Sequence, residues 1–387
     1  MRLRNFLSIV PFLVAALAQD EAALITKTPP CAISSCLCVN ETLQADLSIC
    51  VQKSCPWSEQ LVAATVENDL CVGYPKQDKS GLCRAVCTAL FCIVIPFLAM
   101  RLFTRFKISG ELFPDDWAII VAGFWVIVGA GIEITASAKG FGKHFWNVPV
   151  DNAQLLLKVF WMLQVVYIII QVSAKVSLLL WYHRIFRNEK FKRIVRICLG
   201  FVGLHGIVFI FVVLFQCIPV RSVWDRSVDG HCANLGAIGY AGAAFSIVED
   251  LVILVLPIPQ LNTLQLPLNK KVGLMLMFSV GSFACVTSMV RLKYLAQIDT
   301  SFDITWDNAN VLIWSVIECA ATVICACLPA LRPLILQYVP GLYRTAKSTT
   351  KSTWNSTAKM RRRISAFELR ADSSSQKSAV EVLQEQV

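Results

Sequence analysis

Residues 156–181 read LLKVFWMLQVVYIIIQVSAKVSLLLW. A helix of about 20 apolar residues crosses a hydrocarbon core, and this run has that length with only Lys158 and Lys175 charged. Six further runs of the same kind flank it, at roughly 84–103, 116–137, 195–218, 237–256, 272–293 and 310–332. Of the 387 residues, 56% are hydrophobic and 16% charged, whereas a soluble chain carries about 25% charged residues. The expected fold class is an all-α membrane protein, with a seven-transmembrane helix bundle over residues 84–333.

The amino terminus is a different kind of segment. Arg2 and Arg4 precede a short apolar stretch from Phe6 to Leu17, and Ala16-Leu17-Ala18 offers small residues for cleavage. That pattern is a secretory signal peptide over 1–18, too short to be a first span. It puts the mature N-terminus outside the cell, and seven crossings then leave the C-terminus in the cytoplasm. Lys and Arg positions test this independently, since inner loops are enriched in both. The proposed inner segments hold Arg101, Arg105 and Lys107, six basic residues from Arg184 to Arg196, Lys270 and Lys271, and then Arg332, Arg344, Lys347 and Lys351. The proposed outer side has only Lys139, Lys143, Arg221, Arg226, Arg291 and Lys293. The net charge of +10 is thus gathered beside the spans, which points to anionic membrane lipids and away from nucleic acid. Residues 334–387 are Ser/Thr/Lys-rich, include Arg361-Arg362-Arg363, and read as a disordered cytoplasmic tail.

The cysteines divide by compartment. Cys31, Cys36, Cys38, Cys50, Cys55 and Cys71 fall in a polar extracellular stretch over 19–78 and are expected to be oxidised. Cys285, Cys319, Cys325 and Cys327 lie in apolar runs, where a thiol behaves as a small hydrophobe. Cys217 and Cys232 flank the outer loop after the fourth span and are expected to pair, closing a loop worth about 3 kcal/mol in the chain-entropy account. Asn40-Glu41-Thr42 is an acceptor sequon on the outer side, so Asn40 is expected to be glycosylated. Asn355-Ser356-Thr357 has the same pattern on the inner side and should stay bare.

Longer strings carry a resemblance. Pro30-Cys31-Ala32, Cys36-Leu37-Cys38, Cys50, Cys55 and Cys71 resemble the fungal extracellular cysteine-rich module called CFEM. From about residue 115 to 333 the chain resembles the fungal rhodopsin-like seven-helix domain that often follows that module. The strings are Asp115-Asp116-Trp117, Lys175-Val176-Ser177, Tyr182-His183-Arg184-Ile185-Phe186, Gln216-Cys217-Ile218-Pro219, Glu249-Asp250, Leu256-Pro257-Ile258-Pro259, Gly281-Ser282-Phe283 and Cys327-Leu328-Pro329. The resemblance implies a receptor-like surface protein related to G-protein-coupled receptors. For the module it implies bridges Cys31–Cys36 and Cys55–Cys71, which leaves Cys38 and Cys50 for a substitute bridge. The module has six cysteines where the family has eight. Haem-binding relatives use an aspartate shortly before the Cys-Leu-Cys string as axial ligand, but Ser34 and Ser35 stand there in this chain. Resemblance suggests haem, and the residues withhold its ligand. Retinal is not expected either, because residues 310–331 contain no lysine for a Schiff base.

Ionisable side chains inside spans are costly unless paired or hydrated, so they mark candidate sites. Lys175 and Asp250 fall at similar depths and are expected to pair, with structural glue favoured over ligand contact. Glu133, Arg291 and Glu318 lie in outer halves of their spans and could line a cavity open to the outside, where glue and ligand contact stand about equal. Arg184, in Tyr182-His183-Arg184, is a candidate for cytoplasmic coupling, as in the charged triplet many receptors set against a G protein; a positive-inside anchor explains it more simply. Phosphate-loop, metalloprotease and serine-hydrolase strings are absent, and His144, His205 and His231 have no metal-ligand spacing. The expected function is a plasma-membrane receptor, not an enzyme, for an unidentified external or surface cue, with a role in host infection and a heterotrimeric G protein as conventional partner. The alternatives are a haem or iron-handling surface protein and, less favoured, a transporter.

Overall fold

A computed structural model describes residues 37–262, 268–298 and 303–338. The signal peptide, Cys31, Cys36, residues 263–267 and the segment 339–387 lie outside the described residues. Among the described residues ten α-helices follow in order. Two short ones, α1 (Glu41–Ser54) and α2 (Trp57–Leu70), precede α3 (Ser80–Thr104), α4 (Pro114–Ala138), α5 (Val150–Ile185), α6 (Glu189–Leu214) and α7 (Leu235–Val255). A turn of helix, α8 (Ile258–Asn262), leads to α9 (Leu268–Ile298) and α10 (Ile304–Tyr338). Strands β1 (Cys217–Ile218) and β2 (His231–Cys232) form a two-residue antiparallel ribbon between α6 and α7.

Local sequence sets many of the boundaries. Pro114 opens α4 at a position that needs no N–H donor, and Asp115 and Asp116 follow in the first turn, where the helix dipole favours negative charge. Asp116 also accepts the Phe113 amide at 3.1 Å. Asn188 and Asn234 cap α6 and α7 by accepting from Lys190 and Ala237. Pro257 ends α7, since a proline has no N–H to carry the helical bonding on, while Pro96 is accommodated within α3. The fourth run differs from its expected span: its helix stops at Leu214, and Cys217 and Ile218 turn into the β1 ribbon. The last helix continues to Tyr338, so residues 334–338 are helical instead of part of a disordered tail. Leu334, Ile335 and Leu336 prolong the apolar run beyond Pro333, and a helix can continue there because its backbone bonds close within the segment.

Six of the long helices, α3 to α7 and α10, are long and apolar enough to cross a membrane. The helices pack in a ring, α3 against α4, α4 against α5, α5 against α6, α7 against α9, α9 against α10 and α10 against α3, with α5 and α10 meeting across the middle. The apolar face of the ring points outward. On α6, Ile197, Phe201, Leu204, Val208 and Phe211 are all exposed at helical spacing, the reverse of a soluble helix and the pattern lipid requires.

Helices α1 and α2 cap one end of the bundle. Trp146 donates to Gln44 at 3.2 Å, and Trp57 meets Phe145 with centroids 5.9 Å apart. Gly142 (φ +96°) permits a close approach at that end: its carbonyl accepts from Lys79 N at 2.9 Å, and an added Cβ would lie 2.9 Å from Ser80 N. The expected pairing within the cap is corrected here. Cys38 bonds to Cys71, with Cα atoms 5.4 Å apart, while Cys50 and Cys55 are free thiols. Neither Cys38–Cys50 nor Cys55–Cys71 forms. Cys38 and Cys71 bracket α1 and α2 and are both buried, so the bridge closes the hairpin at its open end. In the ribbon, Cys217 and Cys232 are joined.

Candidate functional site

Two ionic clusters occupy the bundle. The first lies at the end away from the cap. Arg101 on α3 donates to Asp115 at 2.9 Å and Asp116 at 3.0 Å, and Arg105 reaches Asp116 at 3.1 Å. Arg184 at the end of α5 reaches Asp115 at 3.1 Å and lies 4.0 Å from the centre of the Phe113 ring. Arg101 also donates to the Ala326 carbonyl on α10, and Ser177 donates to the Asp115 carbonyl at 2.7 Å. The cluster therefore ties α3, α4, α5 and α10 together. Arg101, Asp115 and Asp116 are almost wholly buried, while the Arg184 side chain keeps 28% of its exposure.

The second cluster sits deeper. Lys175 on α5 contacts Asp250 at 2.9 Å and Glu249 at 3.2 Å on α7, and donates to the Ser246 hydroxyl and carbonyl. His205 on α6 meets the other Glu249 oxygen at 2.7 Å. On the far side of Asp250, the Ser288 hydroxyl lies 3.1 Å from that carboxylate and 2.8 Å from Glu318. Glu318 then takes the Tyr167 hydroxyl at 3.0 Å and lies 2.8 Å from Arg291 Nε, near enough for an ion pair although that N–H is not aligned as a hydrogen bond. One chain of polar contacts thus runs from α6 through α7, α5 and α9 to α10.

A cavity of about 180 Å³ opens onto this chain. Its wall on α5 runs from Phe160 to Lys175, about 22 Å of helix at 1.5 Å per residue. Gln216 and Leu235, on either side of the disulfide ribbon, line its cap end, and Arg291, Glu249 and His205 line it deeper in. Apolar walls with a few convergent polar groups are the usual make-up of a small-molecule site. Three buried polar atoms of its lining make no hydrogen bond, Gln171 Oε1, His205 Nε2 and Arg291 Nε, of which only the last faces an opposite charge, Glu318 at 2.8 Å.

The site residues read from the sequence distribute as follows. Lys175 and Asp250 are paired, and Arg291 pairs with Glu318. Glu133 is not part of that group; it lines a separate apolar cavity of about 80 Å³ and shares a hydrogen bond with Cys87. The two cavities are divided by Leu163, Tyr167, Leu312 and Ser315, which line both. Arg184 is held in the far-end cluster. Asn40 is exposed and caps α1 through Oδ1, leaving its amide nitrogen out of the capping bond. His205, Tyr167 and Ser288 escaped the sequence reading, as did the pairings of Glu249, Asp115 and Asp116. The rule applied to Lys175 would have flagged His205 and Glu249, since both are ionisable and sit within apolar runs. No group of three or more His, Cys, Asp or Glu able to hold a metal occurs among the described residues.

The run of helices with this far-end cluster coincides with a family model described as Fungal rhodopsin domain, matched over residues 100–337. This chain belongs to the fungal rhodopsin domain family. Among curated relatives of this fungal rhodopsin family member, it is 28% identical over 62% of its length to a SAT4 family membrane protein of Emericella nidulans. It is 27% identical over 68% of its length to Receptor GIN3 of Arthrobotrys oligospora. A third, at 27% identity over 65% of the chain and 72% of the relative, is the polyenoic acids biosynthesis gene cluster protein Ba17b of Metarhizium anisopliae. The match spans 61% and 66% of the first two relatives' own lengths. No solved structure matches.

Proposed function

We propose that this protein is a plasma-membrane receptor, not an enzyme, whose ligand enters the 180 Å³ cavity from the cap end. One observation carries the reading: the cavity reaches a polar chain that joins five helices, α5, α6, α7, α9 and α10. A ligand changes a receptor only by binding two states unequally, and a molecule touching Glu249, Lys175 or Arg291 would change how those helices are tied. Two of the matched relatives add support, one being named a receptor and one a member of a biosynthesis gene cluster, which suits a small-molecule cue.

In this reading all seven long helices cross the membrane. The cap end is extracellular, residues 19–78 form a CFEM-like module, and Asn40 carries a glycan. The far end faces the cytoplasm, where Arg184 is the residue placed to meet a heterotrimeric G protein. The receptor binds neither retinal nor haem, and host infection is one setting in which a surface cue would be sensed. Intact cells bearing a C-terminal tag test the topology: an impermeant label should not reach the tag, and labelling would overturn the orientation. Saturable binding of small molecules, lost when Ser315 is replaced by Phe to fill the cavity, tests the site.

A further inference from the structure

We propose that the cavity selects ligands bearing a cationic or hydrogen-donating head on an apolar body, an amine in its ammonium form being the simplest. The inference rests on the receptor reading above and adds the ligand's chemical class.

Charge counting comes first. The connected network holds two permanent cations, Lys175 and Arg291, against three carboxylates, Glu249, Asp250 and Glu318. All five side chains are at least nine-tenths buried. An isolated buried charge is expensive, so buried ions occur with compensation. Here one negative charge is left over. It is balanced either by a proton, on His205 or on one of the carboxyls, or by a cation supplied from outside. The two fixed cations that line the cavity are already neutralised. Lys175 faces two carboxylates and Arg291 faces Glu318, so neither offers an uncompensated positive charge to an anion.

The two unpaired acceptors point the same way, while Arg291 Nε, the lining donor without a hydrogen bond, already lies 2.8 Å from the Glu318 carboxylate. The Tyr167 hydroxyl has one proton and directs it at the Glu318 carboxylate at 3.0 Å. It can therefore only accept from Gln171, whose Nε2 lies 3.5 Å away. That fixes the amide and leaves Gln171 Oε1 as a buried acceptor with no donor, on a residue 4% exposed. His205 uses Nδ1 toward Glu249, so in its neutral form Nε2 is a second acceptor with no donor. Leaving a buried acceptor unpaired costs its full desolvation. A ligand head rich in N–H donors satisfies both atoms and the surplus charge together, and a carboxylate satisfies neither. Phe160, Phe209 and Tyr167 in the wall suit an aromatic or alkyl body and give a cation ring faces to approach.

Three probes that share a phenyl body test this: phenethylammonium, phenethyl alcohol and 3-phenylpropionate, titrated into the full-length protein in nanodiscs with affinity read by calorimetry. Phenethylammonium should bind roughly tenfold or more tighter than the alcohol, the ratio one charge-assisted hydrogen bond supplies, and the propionate should be weakest. Gln171→Leu should weaken the ammonium most. Glu249→Gln, which makes the network neutral without breaking Lys175–Asp250, should erase the preference for the ammonium over the alcohol. If the alcohol or the propionate binds as tightly as the ammonium while Ser315→Phe abolishes binding, the ligand class is wrong and the site stands. If no probe binds saturably, or if binding survives Ser315→Phe, the cavity reading falls with it. Monodisperse elution and an unchanged unfolding temperature qualify each variant, and Gln164→Phe serves as the second cavity-filling variant if Ser315→Phe does not fold.

Discussion

The far-end cluster and the mid-bundle network lie nine residues apart on α5, about 14 Å along the helix, and they are built from the same side-chain types. They end in opposite states. At the far end three arginines enclose two aspartates, and the one surplus charge resides on Arg184, which is partly exposed to water. In the middle three carboxylates outnumber two cations, the surplus is buried, and unpaired acceptors face a cavity. A surplus that reaches water is screened and costs little. A surplus held at the edge of a cavity remains available for a ligand or a proton to cancel. The first arrangement suits a clamp between helix ends, and the second suits a site.

The sharpest way to break this contrast is to remove one ion from each. Asp115→Ala strips a partner from three arginines and should destabilise the bundle by about 3–5 kcal/mol, the cost of breaking a buried pair, seen as a lower unfolding temperature of the purified protein. Lys175→Met should cost less, about 1–3 kcal/mol, because the cavity lets water reach Glu249. If Lys175→Met proves the more damaging of the two, the middle is the clamp and the contrast is reversed. A third substitution sharpens it: adding Asp250→Asn to Lys175→Met should recover part of the loss, since the orphaned charge is then gone.

The cap supplies a smaller, pH-dependent effect. Glu67 is 8% exposed, its Oε1 has no partner, and burial pushes its carboxyl from 4.5 to about 7, against a weaker pull downward from Lys76. Between those values the folded cap holds a proton that the unfolded chain has released. Stability is therefore fully present below about pH 4.5 and is lost as pH rises through 7, by at most about 1.4 kcal/mol per pH unit. Amide exchange in α1 and α2 should be slower at pH 5 than at pH 8 after correction for intrinsic rates, and Glu67→Gln should flatten the difference. Equal protection at both pH values in the parent protein would show that the carboxyl finds a partner or water.

The smallest effect concerns thiols. Alkylation without reduction should modify the exposed Cys50, then the half-buried Cys55, and spare Cys38 and Cys71. A peptide map joining Cys55 to Cys71 would restore the pairing implied by the resemblance and overturn the hairpin closure.

The apolar runs, the proline stop at Pro257 and the spacing of Cys217 and Cys232 needed no three-dimensional information to be read. Each depends on chain length, backbone geometry or transfer out of water, which are local properties of the sequence. Lys175–Asp250 was legible for a similar reason, because helix rise alone puts the two residues at one depth. Rotation about each helix axis was not legible, and it decided the rest. It turned Glu133 toward Cys87 and away from Arg291, and it brought His205 to Glu249 across forty-four positions. It also aimed Arg101 of α3 and the adjoining Arg105 at the start of α4. The bridge between Cys38 and Cys71 depended likewise on how α1 and α2 fold back on each other. Which polar groups meet is set by the packing of whole helix faces, and a buried charge takes the partner that packing brings within about 3 Å, whatever its distance along the chain.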